Sequence, residues 1–328
     1  MHQFVGMAHR LNFPVFIAYY TGYVEILHEE YFNERYSKHV SATLIRKIQV
    51  NAIDSGDYLI FPEVEIPYLK PYRNYKIAIW WLSIDNAIGP VRLALSKRWL
   101  YRFLSGCLSQ LLKLGVIHNY QRLQLLYPII STQLGLQGYD HFCQSFYAYQ
   151  FFNGILPRKT LLGDFTDLPL DCLKESKPSK ENQVLYNPKK GYEIMEWFIH
   201  QFPEISWIPI QNMTKEEVTA LMLRSKVYVD FGNHPGKDRI PREATLCGCI
   251  VITNREGSAA FFEDVGIAEN YKFLNPLSEY TEILALIHDI FINYPNHRNQ
   301  QWSYYETVQN EFDAFQEQVS RILRSILD

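Results

Sequence analysis

The 328-residue sequence lacks several features that would place it in common protein classes. It has no run of about 18 apolar residues and no signal-peptide core near its start, so we expect no membrane-spanning helix. The formal net charge of −3 argues against a general nucleic-acid-binding surface. The five cysteines have neither zinc nor redox spacing, so we expect no metal site. Together these absences predict a cytoplasmic protein that is not integral to a membrane.

The clearest boundary in the chain is the polar segment 171–182, DCLKESKPSKEN, whose composition is typical of a linker. It predicts an N-terminal domain at 1–170 and a C-terminal domain at 183–295. A helical tail follows at 296–328.

Short apolar segments alternate with helical patterns, which is typical of βαβ units on a parallel sheet. In the second domain we predict strands at 183–186, 205–210, 226–231 and 249–253, and helices at 191–202, 214–223 and 241–246. Thr214 and Glu217 form a capping box, and Pro209 would place its strand at a sheet edge. In the first domain we predict strands at 13–20, 58–61, 76–81 and 144–149, with helix over 91–125. The predicted helices after the second domain are 277–292, interrupted at Pro295, and 300–327.

The most informative stretch runs over 230–259, DFGNHPGKDRIPREATLCGCIVITNREGSA, from the end of one predicted strand through a helix and the next strand. Ligands of open parallel sheets bind beyond the carboxyl ends of the strands, and this loop lies there. A helix beginning at Pro241 would offer free N–H groups to an anion. Gly236 would allow close approach of the backbone, and the nearby cations suit a diphosphate: Lys237, Arg239 and Arg242.

Other residues near this loop are candidates for the rest of a nucleotide sugar. Glu243, in the first turn of the predicted helix, can accept both hydroxyls of a ribose, or it can simply complement the helix dipole. His234 can contact the sugar or a phosphate. Asp238 is the second candidate for the donor sugar, or it can form a solvated ion pair with Lys237 or Arg239. Two further turns follow strands and add diphosphate candidates: Lys189 and Lys190 in YNPKKG, and Gly257 and Ser258.

These motifs resemble the donor domain of bacterial glycosyltransferases of the GT-B fold, especially those of capsule, O-antigen and related surface polysaccharides. YNPKKG resembles the family's lysine-glycine loop, and REATLCGCIVIT its glutamate-containing helix and following strand. The resemblance implies an α/β protein of two Rossmann-like domains facing a cleft, with C-terminal helices, the last of which crosses back to the first domain. It also implies that Glu243 holds the ribose and that Lys189 or Lys190, with Arg239, contacts the diphosphate. Many members carry a second glutamate eight positions upstream, where this chain has Pro235.

The reaction implied is metal-independent hexosyl transfer from a nucleotide-diphosphate sugar, which serves as co-substrate, and no other cofactor is expected. Cations and a helix end would stabilise the leaving diphosphate. If the reaction inverts the anomeric centre it needs a general base, for which Asp85 and then Glu63 are the candidates, since each follows a predicted strand. A turn or cap role remains open for both carboxylates, and the stereochemistry is open as well.

The span 86–139 contains no aspartate or glutamate but holds six basic residues among apolar ones. A basic amphipathic stretch of this kind can lie on an anionic membrane surface, which would suit a lipid-linked acceptor at the inner face of the plasma membrane. Core helices with a solvated basic side fit the pattern equally well.

Two other functions stay open at this point, because a fold does not determine an activity. One is a nucleotide-sugar epimerase on the same scaffold. The other is a non-catalytic GT-B-like partner protein. A dehydrogenase is disfavoured, because no G-x-G-x-x-G follows a predicted strand.

Overall fold

A computed structural model describes residues 1–15, 56–87, 95, 99–113, 119–166, 168 and 179–327. The chain divides into two compact units, one made of Met1–Asp164 with Ala314–Asp328 and the other of Phe165–Asp313. Of the predicted linker, residues 171–178 lie outside the described residues, as do residues 16–20 of the first predicted strand. No helix in the described ranges is long and apolar enough to span a membrane.

The first unit is built on a four-stranded parallel sheet in the order β1-β2-β3-β4. Its strands are β1 (Tyr58–Pro62), β2 (Lys76–Trp81), β3 (Asp140–Cys143) and β4 (Lys159–Leu161). Its helices before the crossing into the second unit are α1 (His2–Arg10), α2 (Trp99–Lys113), α3 (Asn119–Leu134) and α4 (Phe146–Phe151).

The core of the first unit is organised around two buried tryptophans of β2. Trp80 Nε1 donates to the carbonyl oxygen of Leu162 at 3.0 Å, and Trp81 Nε1 donates to His141 Nδ1 at 3.0 Å. His141 Nε2 in turn lies 2.9 Å from the carbonyl oxygen of Leu136. Burial lowers the pKa of His141 to about 4, so this histidine is neutral, with its proton on Nε2.

The strand predicted at 144–149 is wrong. Strand β3 ends at Cys143, and Ser145 caps helix α4 by accepting a hydrogen bond from the backbone N–H of Ala148 at 3.1 Å. An N-cap serine satisfies one of the helix's unpaired amide groups, and this local bond outweighs the strand-like aromatic composition.

The second unit has a five-stranded parallel sheet in the order β6-β5-β7-β8-β9. Its strands are β5 (Glu181–Tyr186), β6 (Ser206–Pro209), β7 (Ser225–Asp230), β8 (Ile250–Asn254) and β9 (Lys272–Phe273). The helices between them are α5 (Tyr192–Gln201), α6 (Lys215–Arg224) and α7 (Arg239–Leu246). The four strands predicted in this domain, the edge position of β6 and the capping box of α6 are confirmed. Both units are therefore Rossmann-like α/β structures.

The C-terminal helices are α8 (Tyr280–Gln300), α9 (Trp302–Gln309) and α10 (Glu311–Leu327). The single helix predicted at 300–327 is wrong, because the chain breaks at Gln301 and Asn310. Gln301 explains the first break, since its side chain accepts from the N–H of Val251 and donates to the carbonyl of the same residue in β8. The interruption expected at Pro295 is present as a kink at Asn293 inside α8.

Candidate functional site

The strand order of the second unit creates a crevice at one point of its sheet. The chain runs from β5 to β6 on one side and then continues with β7 on the other side, so β5 and β7 are neighbours whose connections diverge. In doubly wound sheets, ligands bind at the carboxyl ends of the strands at this switch point. The loops 187–191 after β5 and 231–238 after β7 lie there, and loop 255–257 after neighbouring β8 adjoins them.

Glycines allow these three loops to pack against one another. Gly191 has φ +62°, and a Cβ at this position would lie 2.7 Å from the carbonyl oxygen of Phe231. Gly257 has φ +55°, and its Cβ would lie 1.9 Å from the carbonyl oxygen of His234. No side chain fits at either position, so both glycines are required for the loop arrangement.

The loop after β7 is held by a network of buried charged and polar groups. His234 is fully buried, with Nδ1 2.9 Å from Asp238 Oδ2 and Nε2 3.6 Å from Asp230 Oδ1. Asp230 also accepts from the hydroxyl of Tyr228 at 2.8 Å and from the N–H of Gly232 at 3.2 Å. The side chain of His234 therefore holds the loop from within and is not exposed to a sugar.

The protonation of this network follows from its contacts. Burial by itself lowers the pKa of His234, but the hydrogen bond to Asp238 and the charges of Asp230 and Asp238 outweigh it, so the pKa is raised. Burial likewise tends to raise the pKa of Asp238, but His234 and Lys190 outweigh it and the pKa is lowered. A protonated His234 and an ionised Asp238 therefore stabilise each other.

Ser258 fixes the same loop from the β8 side. Its hydroxyl donates to the carbonyl oxygen of Gly236 at 2.7 Å, and its backbone N–H donates to the carbonyl oxygen of His234 at 2.9 Å. In this structure the hydroxyl is occupied by the protein's own backbone.

The cations predicted to bind the diphosphate differ in their exposure and in their ion-pair partners. Lys190 is partly exposed and pairs with Asp238 at 2.6 Å, while neighbouring Lys189 is exposed. Lys237 and Arg242 both pair with Glu311, at 2.9 Å and 2.8 Å. The cations that solvent reaches most readily are therefore Lys189 and Arg239, the latter with a side chain that is 55% exposed.

Arg242 lies inside the protein. Arg242 is only 1% exposed. Its guanidinium donates to the carbonyl oxygens of Asp238 and Lys237, both at 3.0 Å, in addition to its ion pair with Glu311. These bonds hold the loop against the start of helix α10. The side chain reaches no solvent-exposed phosphate position in this conformation.

Helix α7 begins earlier than predicted. It starts at Arg239, with Asp238 at the N-cap position, so Pro241 is its third residue and not its first. Glu243 consequently lies in the second turn, and the expectation of a first-turn carboxylate is wrong. The side chain of Glu243 is 8% exposed, and its Oε1 accepts from Arg239 Nη2 at 2.9 Å.

The two predicted base candidates lie in the first unit, at the carboxyl edge of its own sheet. Glu63 follows β1 directly, is buried, and its Oε2 accepts from the N–H of Leu82 at 3.0 Å. The pKa of Glu63 is raised because burial outweighs the backbone N–H bonds it accepts. Asp85 lies in the turn after β2 and is half-buried. A carboxylate whose pKa is raised is a stronger base than an ordinary exposed carboxylate.

Sequence reasoning missed Glu311, whose carboxylate joins Lys237, Arg242 and the N–H of Thr166 (3.2 Å). Nothing in the sequence pairs it with residues about 70 positions earlier. Asp230 was also missed, although an aspartate at the end of a buried strand, beside a glycine loop, is a signal that could have found it.

No family model and no curated protein matches the chain. Solved structures similar to it include the following three. Sucrose-phosphate synthase from Thermosynechococcus elongatus aligns with 82% of this chain and 73% of its own, at 13% identity and a TM-score of 0.53. HepE from Anabaena, in complex with UDP-glucose, aligns with 82% and 99% at 12% identity and a TM-score of 0.43. The pneumococcal O-GlcNAc transferase GtfA, in complex with UDP and GlcNAc, aligns with 84% and 58% at 12% identity and a TM-score of 0.48.

Proposed function

We propose that this chain, which has the GT-B fold, is a glycosyltransferase that binds a nucleotide-diphosphate sugar in its second unit. The observation that carries the proposal is the convergence of loops 187–191, 231–238 and 255–257 at the switch point of a five-stranded parallel sheet. Helix α7 starts at this point, and the N–H groups of its first residues favour an anion.

The diphosphate is proposed to lie between the start of α7 and the side chains of Arg239 and Lys189 or Lys190. Arginine can bind phosphate oxygens bidentately. In the structure Arg239 is bound to Glu243, and Lys190 to Asp238. When Arg239 turns to a phosphate, the carboxylate of Glu243 becomes available to the two ribose hydroxyls. Donor binding therefore exchanges one partner of Glu243 for another.

The chemical step is transfer of the sugar to an acceptor hydroxyl. The acceptor oxygen attacks the anomeric carbon, the bond between that carbon and the diphosphate oxygen breaks, and the acceptor proton passes to a base. The cations and the helix end stabilise the charge that develops on the diphosphate, without a metal ion. Glu63 and Asp85 are the proposed bases, and the raised pKa of Glu63 supports that role.

The acceptor is proposed to be a glycan or a lipid-linked glycan of bacterial surface polysaccharide synthesis. The exposed side chains of Phe103 and Leu111 on α2 support contact with a membrane surface, because they are apolar and eight residues apart on one helix. A protein held at the membrane in this way would be a peripheral protein on the inner leaflet.

The donor site is tested by thermal stabilisation of the full chain with UDP, GDP, CMP and dTDP, free and as sugar conjugates. A ligand at 100 times its Kd adds about 2.7 kcal/mol of stability. We expect one nucleotide to stabilise the wild type, and Glu243→Ala and Arg239→Ala to lose most of the effect. Glu204→Gln and Arg224→Ala are the matched controls, since both side chains are exposed and outside these loops. If none of the nucleotides stabilises the wild type, the proposal is contradicted.

A further inference from the structure

Lys190, one of the two lysines proposed to bind the diphosphate, is held by a carboxylate in the structure. Its Nζ lies 2.6 Å from Asp238 Oδ2, and its side chain is partly exposed. The backbone around it is packed closely on the loop after β7, because a Cβ at Gly232 would lie 2.5 Å from Lys190 Cβ. A diphosphate in this crevice therefore competes with Asp238 for the ammonium group of Lys190.

Asp238 has a second positively charged partner, which lies inside the protein. His234 is fully buried, and its Nδ1 lies 2.9 Å from Oδ2 of Asp238, the same oxygen that binds Lys190. The backbone of Asp238 is fixed separately, since its carbonyl oxygen accepts from Arg242 Nε at 3.0 Å. One carboxylate oxygen thus joins a buried histidine and a partly exposed lysine, and solvent reaches only the lysine of these two.

The charge on His234 depends on groups from β7, from the start of α7 and from the loop after β5. The titratable and charged groups that face it are Asp230, Tyr228, Asp238 and Lys190. From the β8 side, the backbone N–H of Ser258 donates to its carbonyl oxygen. Burial lowers the pKa of His234 and Lys190 opposes a positive charge there, but the two carboxylates outweigh both and raise the pKa.

This charge determines how readily Asp238 releases Lys190. When His234 is protonated, Asp238 keeps a counter-charge after the lysine has turned to a phosphate. When His234 is neutral, the same movement leaves a largely buried carboxylate without a cation, which is unfavourable. A diphosphate should therefore bind more tightly while His234 carries its proton.

We propose that His234 is a positioning residue for donor binding, which holds Asp238 and so releases Lys190 to the diphosphate. The inference rests on the proposed donor site and adds to it a residue that does not touch the nucleotide sugar. His234 and Asp238 act in opposite senses, because Asp238 retains the lysine and His234 frees it. Together they determine how strongly the site prefers a nucleoside diphosphate to the monophosphate.

The test is calorimetric titration of the full chain with three pairs of nucleotides: UDP with UMP, GDP with GMP, and dTDP with dTMP. The measured quantity is the preference, which is the Kd of the monophosphate divided by the Kd of the diphosphate of the same base. Both ligands lose their last phosphate proton near about pH 6, so their own ionisation largely cancels in this ratio. In the wild type the preference should fall about ten-fold between about pH 6.5 and about pH 9, since His234 loses its proton as the pH rises through its raised pKa.

His200→Asn is the matched control, because His200 is exposed on α5 and lies outside the three loops. It should keep the wild-type preference at both pH values. His234→Asn should have a preference about ten-fold below that of the wild type at the lower pH, the size of one hydrogen bond to a charged group, and should show no pH dependence. Lys190→Met should behave in the same way, because it removes the cation itself.

A double variant separates positioning from a merely structural role. Adding Asp238→Asn to His234→Asn should restore the preference at both pH values, because Lys190 then has no carboxylate to leave. Asparagine is also a favourable N-cap residue, so the start of α7 should be kept. If His234 were only structural, its replacement would weaken monophosphate and diphosphate alike, and the second substitution would restore neither.

The outcomes distinguish this inference from the donor site on which it rests. If the wild type binds nucleotides and Glu243→Ala does not, the donor site stands. A preference that is independent of pH in the wild type, or a double variant that remains as weak as His234→Asn, would then overturn the role of His234 alone. If none of the nucleotides binds the wild type, the donor site and the inference fail together.

Discussion

Replacement of Glu311 by glutamine tests directly how the loop after β7 is held in place. The carboxylate of Glu311 is 4% exposed and forms ion pairs with two cations. Oε1 lies 2.9 Å from Lys237 Nζ, and Oε2 lies 2.8 Å from Arg242 Nη1. Arg242 is 1% exposed, so its guanidinium cannot turn to water when the carboxylate is removed. Glu311→Gln therefore leaves a buried cation without a counter-charge.

The expected loss of unfolding free energy is about 3 kcal/mol, the lower part of the range of about 3–5 kcal/mol for a broken buried pair. The lower part applies because the glutamine oxygen can still accept one of the bonds, and Lys237, with 16% of its side chain exposed, can reach solvent along its flexible stem. The measurement is urea denaturation followed by tryptophan fluorescence and circular dichroism.

The matched control is Glu317→Gln, an exposed position on the same helix, which should change stability by less than about 0.5 kcal/mol. The double variant Glu311→Leu with Arg242→Met should lose less than the sum of the two single changes, because both charges leave together. A loss below about 1 kcal/mol for Glu311→Gln, or strict additivity in the double variant, would refute the ion-pair reasoning.

Three further predictions concern other parts of the molecule. Gly257→Ala should destabilise the second unit by ~2 kcal/mol or more, since φ is +55° and the new Cβ meets a backbone oxygen; Gly106→Ala, within helix α2 with open space around it, should instead stabilise the protein in the same melting experiment. The pKa of His141 is about 4 in the folded state and near 6.5 in the unfolded state, so its contribution to stability is fully present above pH 6.5 and is lost as the pH falls toward 4, by up to about 3 kcal/mol. The free energy of unfolding of His141→Gln should therefore depend less steeply on pH over this range. The same pH dependence in the variant and the wild type would contradict the assignment of a neutral His141. Phe103→Ser should weaken sedimentation with vesicles containing phosphatidylserine, whereas exposed Leu274→Ser in the second unit should not, and equal effects would remove α2 as the contact.

The strands of the second unit could be predicted because the apolar residues that they bury lie close together in the sequence. Strands β7 and β8 each contain three consecutive apolar residues, as expected of parallel strands covered on both faces, and both lie close to the predicted bounds. The capping box of α6 is equally local and was found for that reason. The loops at the carboxyl ends of these strands follow from the same alternation.

The details of the site could not be predicted, because they depend on contacts between distant residues. Asp238 stands at the N-cap of α7, but its side chain is bound to Lys190 and His234 and makes no capping bond. The start of α7 was therefore misplaced by two residues. Proline fits at the third position of a helix as well as at the first, because the N–H groups of the first turn have no partner within the helix. Gln301 and Glu311 act through partners about 50 and 70 residues away, which no sequence pattern records.

The assignments of Lys189, Lys190, Arg239 and Glu243 to a bound donor are still predictions, and one structure would test them together. The measurement is a crystal structure of the full chain with the nucleotide diphosphate that stabilises it most. We predict phosphate oxygens about 3 Å from the N–H groups at the start of α7 and from Arg239, with the ribose hydroxyls bound to the carboxylate of Glu243. A nucleotide bound away from loops 187–191 and 231–238, with the Arg239–Glu243 pair intact, would contradict it.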